Sequence, residues 1–173
     1  YELRIAAYMH DIGKVTSPVE IVEKAKKLQT IFDRIQYVRL RLTYISQKVM
    51  LEGQDRKIDI LQNGSDPEKL KVLEKETSDK LEELKEIQEF INKCNEPGEF
   101  LDDEILERLK EISEKTYIDE AGEQQPFLTE DELVNLSIRR GSITEKERKK
   151  MQDHAAVTLR MLKHIPFTKK LKN

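Results

Sequence analysis

Leu28 to Val49 reads LQTIFDRIQYVRLRLTYISQKV, and two sets of apolar residues run through it at seven-residue spacing. Leu28, Ile35, Leu42 and Val49 hold one position; Ile31, Val38 and Ile45 hold the other. A seven-residue apolar repeat keeps one stripe of an α-helix facing a single partner along its length, so the stretch predicts a coiled-coil helix. Ser17-Pro18-Val19-Glu20 supplies its expected start, with Ser17 as N-cap, Pro18 in the first helical position and Glu20 closing a capping box. The helix from that start would extend roughly 45 Å at about 1.5 Å per residue.

Outward from this stretch the repeat weakens after Glu52, and Asn63-Gly64-Ser65-Asp66-Pro67 reads as a turn followed by a new helix start. The returning segment repeats the stripe with Leu70, Leu73, Thr77, Leu84, Ile87 and Ile91; Lys80 interrupts it, with Leu81 beside it. Each stripe needs the other to leave water, so an antiparallel helical hairpin over 28–95 is expected. It can serve as a solvated intramolecular hairpin or as a homodimer contact. Cys94 falls on the same seam and reads as a small buried hydrophobe.

Glu96-Pro97-Gly98 breaks the second helix. Asp102 to Lys115 forms another, with Ile105, Leu106, Leu109 and Ile112 on one face, and Tyr117 to Phe127 reads as a loop. Thr129-Glu130-Asp131-Glu132 and Thr144-Glu145-Lys146-Glu147 are capping boxes. The first opens a short helix carrying Leu133, Leu136 and Ile138 to Gly141. The second opens a last helix whose Met151, Ala155, Thr158, Leu159 and Leu162 are expected to face a core.

Charged residues make up 38% of the 173, Trp is absent, and Gly and Pro are scarce, which fits an all-α chain with long solvated faces. No apolar run approaches the roughly 20 residues a membrane helix needs, and no signal peptide is evident, so a cytoplasmic segment without membrane contact is expected. A single cysteine excludes an internal disulfide framework. Within a net charge of -3, residues 139–173 carry eleven Lys or Arg against three Asp or Glu, a basic region that could attract an anionic nucleotide. Tyr1 stands inside what reads as a helix, and Thr168-Lys169-Lys170-Leu171-Lys172-Asn173 lacks a stop signal, so the chain reads as a piece of a longer protein.

The chemistry-bearing stretch is Ala6-Ala7-Tyr8-Met9-His10-Asp11-Ile12-Gly13-Lys14. On a helix extending to Lys14, His10 and Asp11 could reach one ion from neighbouring angles, with Lys14 a turn below His10. Imidazole nitrogen and carboxylate oxygen suit Zn, Fe or Mn, and a carboxylate can bridge two ions. Gly13 leaves bare backbone where a second helix or a substrate could approach. An isolated His-Asp pair is also a common helix-end hydrogen-bonded pair.

His10-Asp11-Ile12-Gly13-Lys14, then Pro18, then Ile21-Val22 and Lys24, resembles the HD superfamily of metal-dependent phosphohydrolases, most of all its HD-GYP branch. Ile143-Thr144-Glu145-Lys146-Glu147, followed by Met151 and His154, is similar to that branch's helix start with a metal-binding His about ten residues on. In the family this second motif follows the first closely; here more than a hundred residues intervene, as an inserted hairpin would require. The resemblance divides the chain into a first part of an HD core at 1–27, the hairpin at 28–95, a helix and loop at 96–128, and the second part of the core at 129–173.

The resemblance implies that His10, Asp11 and His154 are metal ligands and that Lys14 contacts a phosphate oxygen. It also implies two or three ions of Fe, Mn or Zn in the complete domain and cyclic di-GMP as substrate in bacterial signalling. An upstream sensor domain in the parent chain is implied too, and no polymeric nucleic acid. Asp11 and Lys14 would carry the catalytic roles, and His164, in the last turn, stands outside the site. Three side-chain ligands are too few for a multinuclear centre, so this chain alone is expected to be inactive. Two other readings stay open: an HD phosphohydrolase acting on other nucleotides, and a non-catalytic signalling or dimerisation module with a residual motif.

Overall fold

A computed structural model describes residues 2–64, 66–98 and 100–165. In chain order the elements are α1 (Glu2–Met9), a 3-10 segment (Ile12–Thr16), α2 (Val19–Val22), α3 (Ile35–Gln62), α4 (Pro67–Asn95), α5 (Asp103–Glu114), β1 (Thr116–Ile118), β2 (Gln124–Pro126), α6 (Glu130–Leu136) and α7 (Glu145–His164). The protein is mostly α, as its composition indicates. No helix among the described residues is long and apolar enough to cross a membrane. The run from Thr168 to Asn173 lies outside the described residues.

The chain forms two units: a terminal one, residues 1–25 with 143–173, and a central one, residues 26–142. The short helix α6, expected with the second part of a core at 129–173, falls in the central unit and packs on α5 and α4.

In the central unit α3 and α4 form the antiparallel hairpin. Asp66 caps α4 by accepting from the backbone N–H of Glu68 and Lys69, and Pro67 opens the helix. Ile35, Val38, Leu42 and Ile45 bury against Leu84, Ile87, Ile91 and Cys94. Burial pushes the Cys94 thiol up, against the opposing pull of Lys27, Arg108 and Lys93, so it is a neutral core side chain. Near the turn Gly53 sits against Thr77, whose Oγ1 would lie 2.9 Å from an added Cβ. Where Glu52 and Lys80 replace apolar seam residues, a cleft of about 340 Å³ opens between the hairpin and the residues of β1.

The heptad reading fails at its own beginning. Leu28 and Ile31 are not helical, and the chain from Glu23 to Arg34 is irregular. Asn95, at the end of α4, explains why: its carbonyl accepts from Lys27 N (3.1 Å) and its Oδ1 from Leu28 N (2.8 Å), while its Nδ2 donates to Asp33 (3.0 Å). Leu28 O accepts from both the backbone N–H and the Nε of Arg34. These bonds satisfy the donors and acceptors that a helix would otherwise have used. Leu28 still fills the end of the core, fully buried, but Ile31 is 91% exposed.

Four more expectations differ from the structure. α1 stops at Met9 and the backbone tightens into the 3-10 segment, so Lys14 does not continue the helix of His10. Pro18, not Ser17, takes the N-cap of the single-turn α2; no side chain caps it, and the Ser17 hydroxyl is buried without a partner. The loop expected at 117–127 contains an antiparallel ribbon pairing Thr116 with Pro126 and Ile118 with Gln124, its turn held by Asp119 Oδ1 accepting from Ala121 N and Glu123 N. α6 also ends at Leu136, well before Gly141, which instead adopts a positive φ of 81°.

The rest of the central core joins the hairpin to α5, α6 and the ribbon through Leu109, Ile112, Phe127, Leu128 and Leu136. Arg41, on α3, crosses this layer to donate to Phe127 O (2.8 Å) and to both oxygens of Glu132 (2.8 and 3.2 Å). Glu132 also closes the α6 capping box with Thr129. Burial pushes its carboxyl up, but the Arg41 and Thr129 bonds hold it below the usual range.

Removing one partner of such an enclosed pair leaves an uncompensated charge, at a cost of about 3–5 kcal/mol. Arg41→Ala is therefore expected to lower the urea-unfolding free energy by about that amount. Arg34→Ala, which breaks a pair with the 67% exposed Asp131, should cost under about 1 kcal/mol from lost charge pairing.

Candidate functional site

In the terminal unit the site starts from the break at Met9. His10 and Asp11 form the turn between α1 and the 3-10 segment, and Asp11 takes the N-cap position of that segment without a side-chain cap bond. Its carboxylate faces three nitrogens instead: Lys14 Nζ at 2.7 Å and His10 Nε2 at 2.9 Å on Oδ2, and His154 Nε2 at 3.5 Å on Oδ1. In a 3-10 helix residues three apart eclipse, which puts the Lys14 ammonium over Asp11. The structure thus brings together His10, Asp11, Lys14 and His154. His164 lies nearly three turns further along α7 and bonds to Arg160 O within its own helix.

α7 carries His154 into place through two attachments. Gly13 lies directly on the helix: an added Cβ would stand 2.2 Å from His154 O and 2.5 Å from Thr158 Oγ1, and Gly13 N donates to that Oγ1 at 2.9 Å. The bare backbone at Gly13 thus serves the approach of a helix. One helix end away, Lys24, its side chain only 1% exposed, donates to both oxygens of Glu147 at 2.9 Å. Glu147 is also the closing residue of the α7 capping box with Thr144. Thr158 is the buried residue of α7; Leu159, expected in the core, is 56% exposed.

The histidines share one arrangement. His10 Nδ1 lies 2.7 Å from Ala7 O, and His154 Nδ1 is likewise bonded to Met151 O. A ring nitrogen facing a carbonyl oxygen must carry its hydrogen, which leaves Nε2 aimed at Asp11. Nitrogen lone pair and carboxylate oxygen repel unless a cation, a proton or a metal ion, lies between them. Tying Nδ1–H to a carbonyl is also how proteins orient imidazoles that bind metals.

Lys14, through its hydrogen bond, holds the Asp11 carboxyl below the usual carboxylate range; desolvation opposes this, and the charges of His10, Lys14 and His154 reinforce it. The donor set of two imidazoles and one carboxylate fits a single Zn, Fe or Mn ion in kind. It does not suffice for two. Among the described residues no three His, Cys, Asp or Glu side chains are arranged to close on one ion, since the imidazoles flank Asp11 on separate oxygens. The His10 side chain is 68% exposed and that of His154 20%, so the cluster is open to solvent on the His10 side.

Sequence reading missed the roles of Lys24 and Thr158 as attachments. Lys24 was visible only as part of a family pattern, and a buried threonine on α7 carries no local signal of its partner.

Gly13→Ala should destabilise the terminal unit by about 1–3 kcal/mol, the usual cost of overpacking, and shift the ring resonances of His154 relative to His10. Burial pushes the Glu147 carboxyl up, but the Lys24 and Thr144 bonds hold it below its ordinary 4.5. A carboxyl more acidic in the folded state contributes stability above its unfolded value, and that contribution is lost as pH falls through the folded one. Amide exchange in α7 should therefore accelerate as pH drops below 4.5, after correction for intrinsic exchange, and Glu147→Gln should flatten that dependence. No family model, curated protein or solved structure matches this chain.

Proposed function

We propose that this chain supplies part of the metal centre of an HD phosphohydrolase of the HD-GYP type, which hydrolyses a phosphodiester of a cyclic dinucleotide, cyclic di-GMP. The observation that supports this reading most is the convergence of His10, Asp11 and His154 from opposite ends of the chain on one carboxylate. Side chains 143 residues apart in sequence meet there, and the first pair and the last belong to the two motifs that resemble that branch.

A bound divalent ion supplies Lewis acidity and water activation in such a centre. The chain's own residues do the rest. His10 and His154 present Nε2 because their Nδ1–H groups are committed to Ala7 O and Met151 O. Asp11 is held as a carboxylate by Lys14. Lys14 has a second role: its ammonium, beside Asp11 Oδ2, would contact a phosphate oxygen of the substrate and offset developing negative charge. Ligands beyond these three complete the centre in the whole enzyme.

A second reading, a non-catalytic signalling module with a residual motif, draws on the 68% exposure of His10, which is high for a ligand in a closed catalytic pocket.

Equilibrium dialysis against Mn, Fe(II) and Zn separates the two. The chain is expected to take up metal, His10→Ala, Asp11→Ala and His154→Ala each to weaken uptake by about tenfold or more, and Lys14→Met to strengthen it by removing a competing cation. In the intact parent enzyme the same Lys14→Met is expected to lower turnover of cyclic di-GMP. Uptake insensitive to all three ligand substitutions would remove the metal reading. A parent enzyme that hydrolyses mononucleotides and leaves cyclic di-GMP intact would move the assignment to another HD phosphohydrolase.

A further inference from the structure

The hairpin seam uses one face of α3. The opposite face carries a second seven-residue repeat: Tyr37, Tyr44, Leu51 and Ile58 at one position. Leu40, Gln47, Gln54 and Leu61 follow at the other, three residues on. Two residues separate this repeat from the buried one, about 200° around the helix, so it faces away from α4. It faces water. Leu40 is 66% exposed, Leu51 60%, Tyr37 53%, Ile58 51% and Leu61 47%; Tyr37 lies edge-on to Phe32, and Tyr44 packs against the core, edge-on to Tyr117.

A helix face that merely meets solvent has no reason to keep apolar residues on a 3.5-residue period through four heptads, whereas a face that meets another helix does. From these residues we propose that α3 pairs through its outer face with α3 of a second copy of this chain, parallel and in register.

The register follows from the polar members. In parallel alignment each position meets itself, so Gln47 faces Gln47 and Gln54 faces Gln54, where the amides satisfy each other, while Leu51, Ile58 and Leu61 stack on their own kind. An antiparallel pair would set Gln47 against Leu51 and Gln54 against Tyr44, enclosing each amide beside apolar surface. The flanking positions agree. Of the parallel neighbours, Met50 meets Asp55 and Lys57 meets Gln62, neither pair like-charged; Arg41 and Lys48, beside Tyr44, are held within their own chain by Glu132 and by Ile118 O.

A stripe from Tyr37 to Leu61 about 36 Å long and about 10 Å wide on each copy removes roughly 700 Å² from water, the size of a weak, concentration-dependent dimer. This pairing rests on the outer face of α3 alone and is independent of metal binding or hydrolysis.

Sedimentation equilibrium of the whole 173-residue chain tests it. The average mass should rise with concentration from 20.3 kDa towards twice that value. The double variant Leu51→Lys, Ile58→Lys should stay at the single-chain mass with unchanged circular dichroism and melting, since both side chains are more than half exposed. Gln54→Cys should form disulfide dimers under mild oxidation faster than Glu86→Cys on the exposed side of α4, the buried Cys94 being inert in both. A chain that sediments as a monomer throughout, a dimer unaffected by the lysine pair, or equal cross-linking of the two cysteine variants would overturn the proposal.

Discussion

The terminal unit depends on a backbone-to-backbone approach that only glycine permits. At Gly13 the 3-10 segment lies so close to α7 that any Cβ would overlap the His154 carbonyl and the Thr158 hydroxyl. That contact fixes the distance between the segment carrying Asp11 and the helix carrying His154, since Gly13 is two residues from one and its neighbour across the interface is the other. Residues 26–142 can therefore form a large folded unit without altering the cluster, provided that the chain leaves and returns at Ala25 and Ile143. Loop closure grows only with the logarithm of the inserted length, so the energetic penalty is slight.

Both units use one device at the start of a helix. Thr129 with Glu132 and Thr144 with Glu147 are reciprocal capping boxes, and in each the glutamate is also taken by an enclosed cation from elsewhere in its unit, Arg41 or Lys24. A capping box by itself orders one turn of helix. Adding a long-range cation converts it into a tertiary anchor, because the carboxylate is already oriented by its own backbone bond when the cation arrives. Each pair then fixes where a helix begins relative to a distant element: α6 to α3 in the central unit, α7 to the residues after α2 in the terminal one.

Asp11 stands apart from these anchors. Its neighbours are two imidazoles and a lysine, it is partly exposed, and no backbone N–H completes its coordination as at the capping boxes. A carboxylate facing three nitrogens at a helix break contributes little to holding the unit together, since solvent screens it. The arrangement leaves a carboxylate faced by three nitrogens and open to solvent on the His10 side.

Element types could be read from local rules: both long helices, the α5 start at Asp102 and the two capping boxes follow from residue spacing and from side chains that reach their own backbone. The motif residues stood out as chemistry, though nothing local said that His10 and His154 would meet. Only tertiary structure decided where α3 begins, because Leu28 and Ile31 keep the heptad spacing while Asn95, more than sixty residues away, claims the backbone between Lys27 and Leu28. It also decided that the backbone would tighten after Asp11, that Ser17 would be enclosed without capping, and that a ribbon would form at Thr116 and Gln124, whose polar residues carry no strand alternation. The common reason is competition: a pattern within one stretch states what that stretch prefers, and a hydrogen-bond partner or a close backbone arriving from elsewhere settles whether the preference is realised.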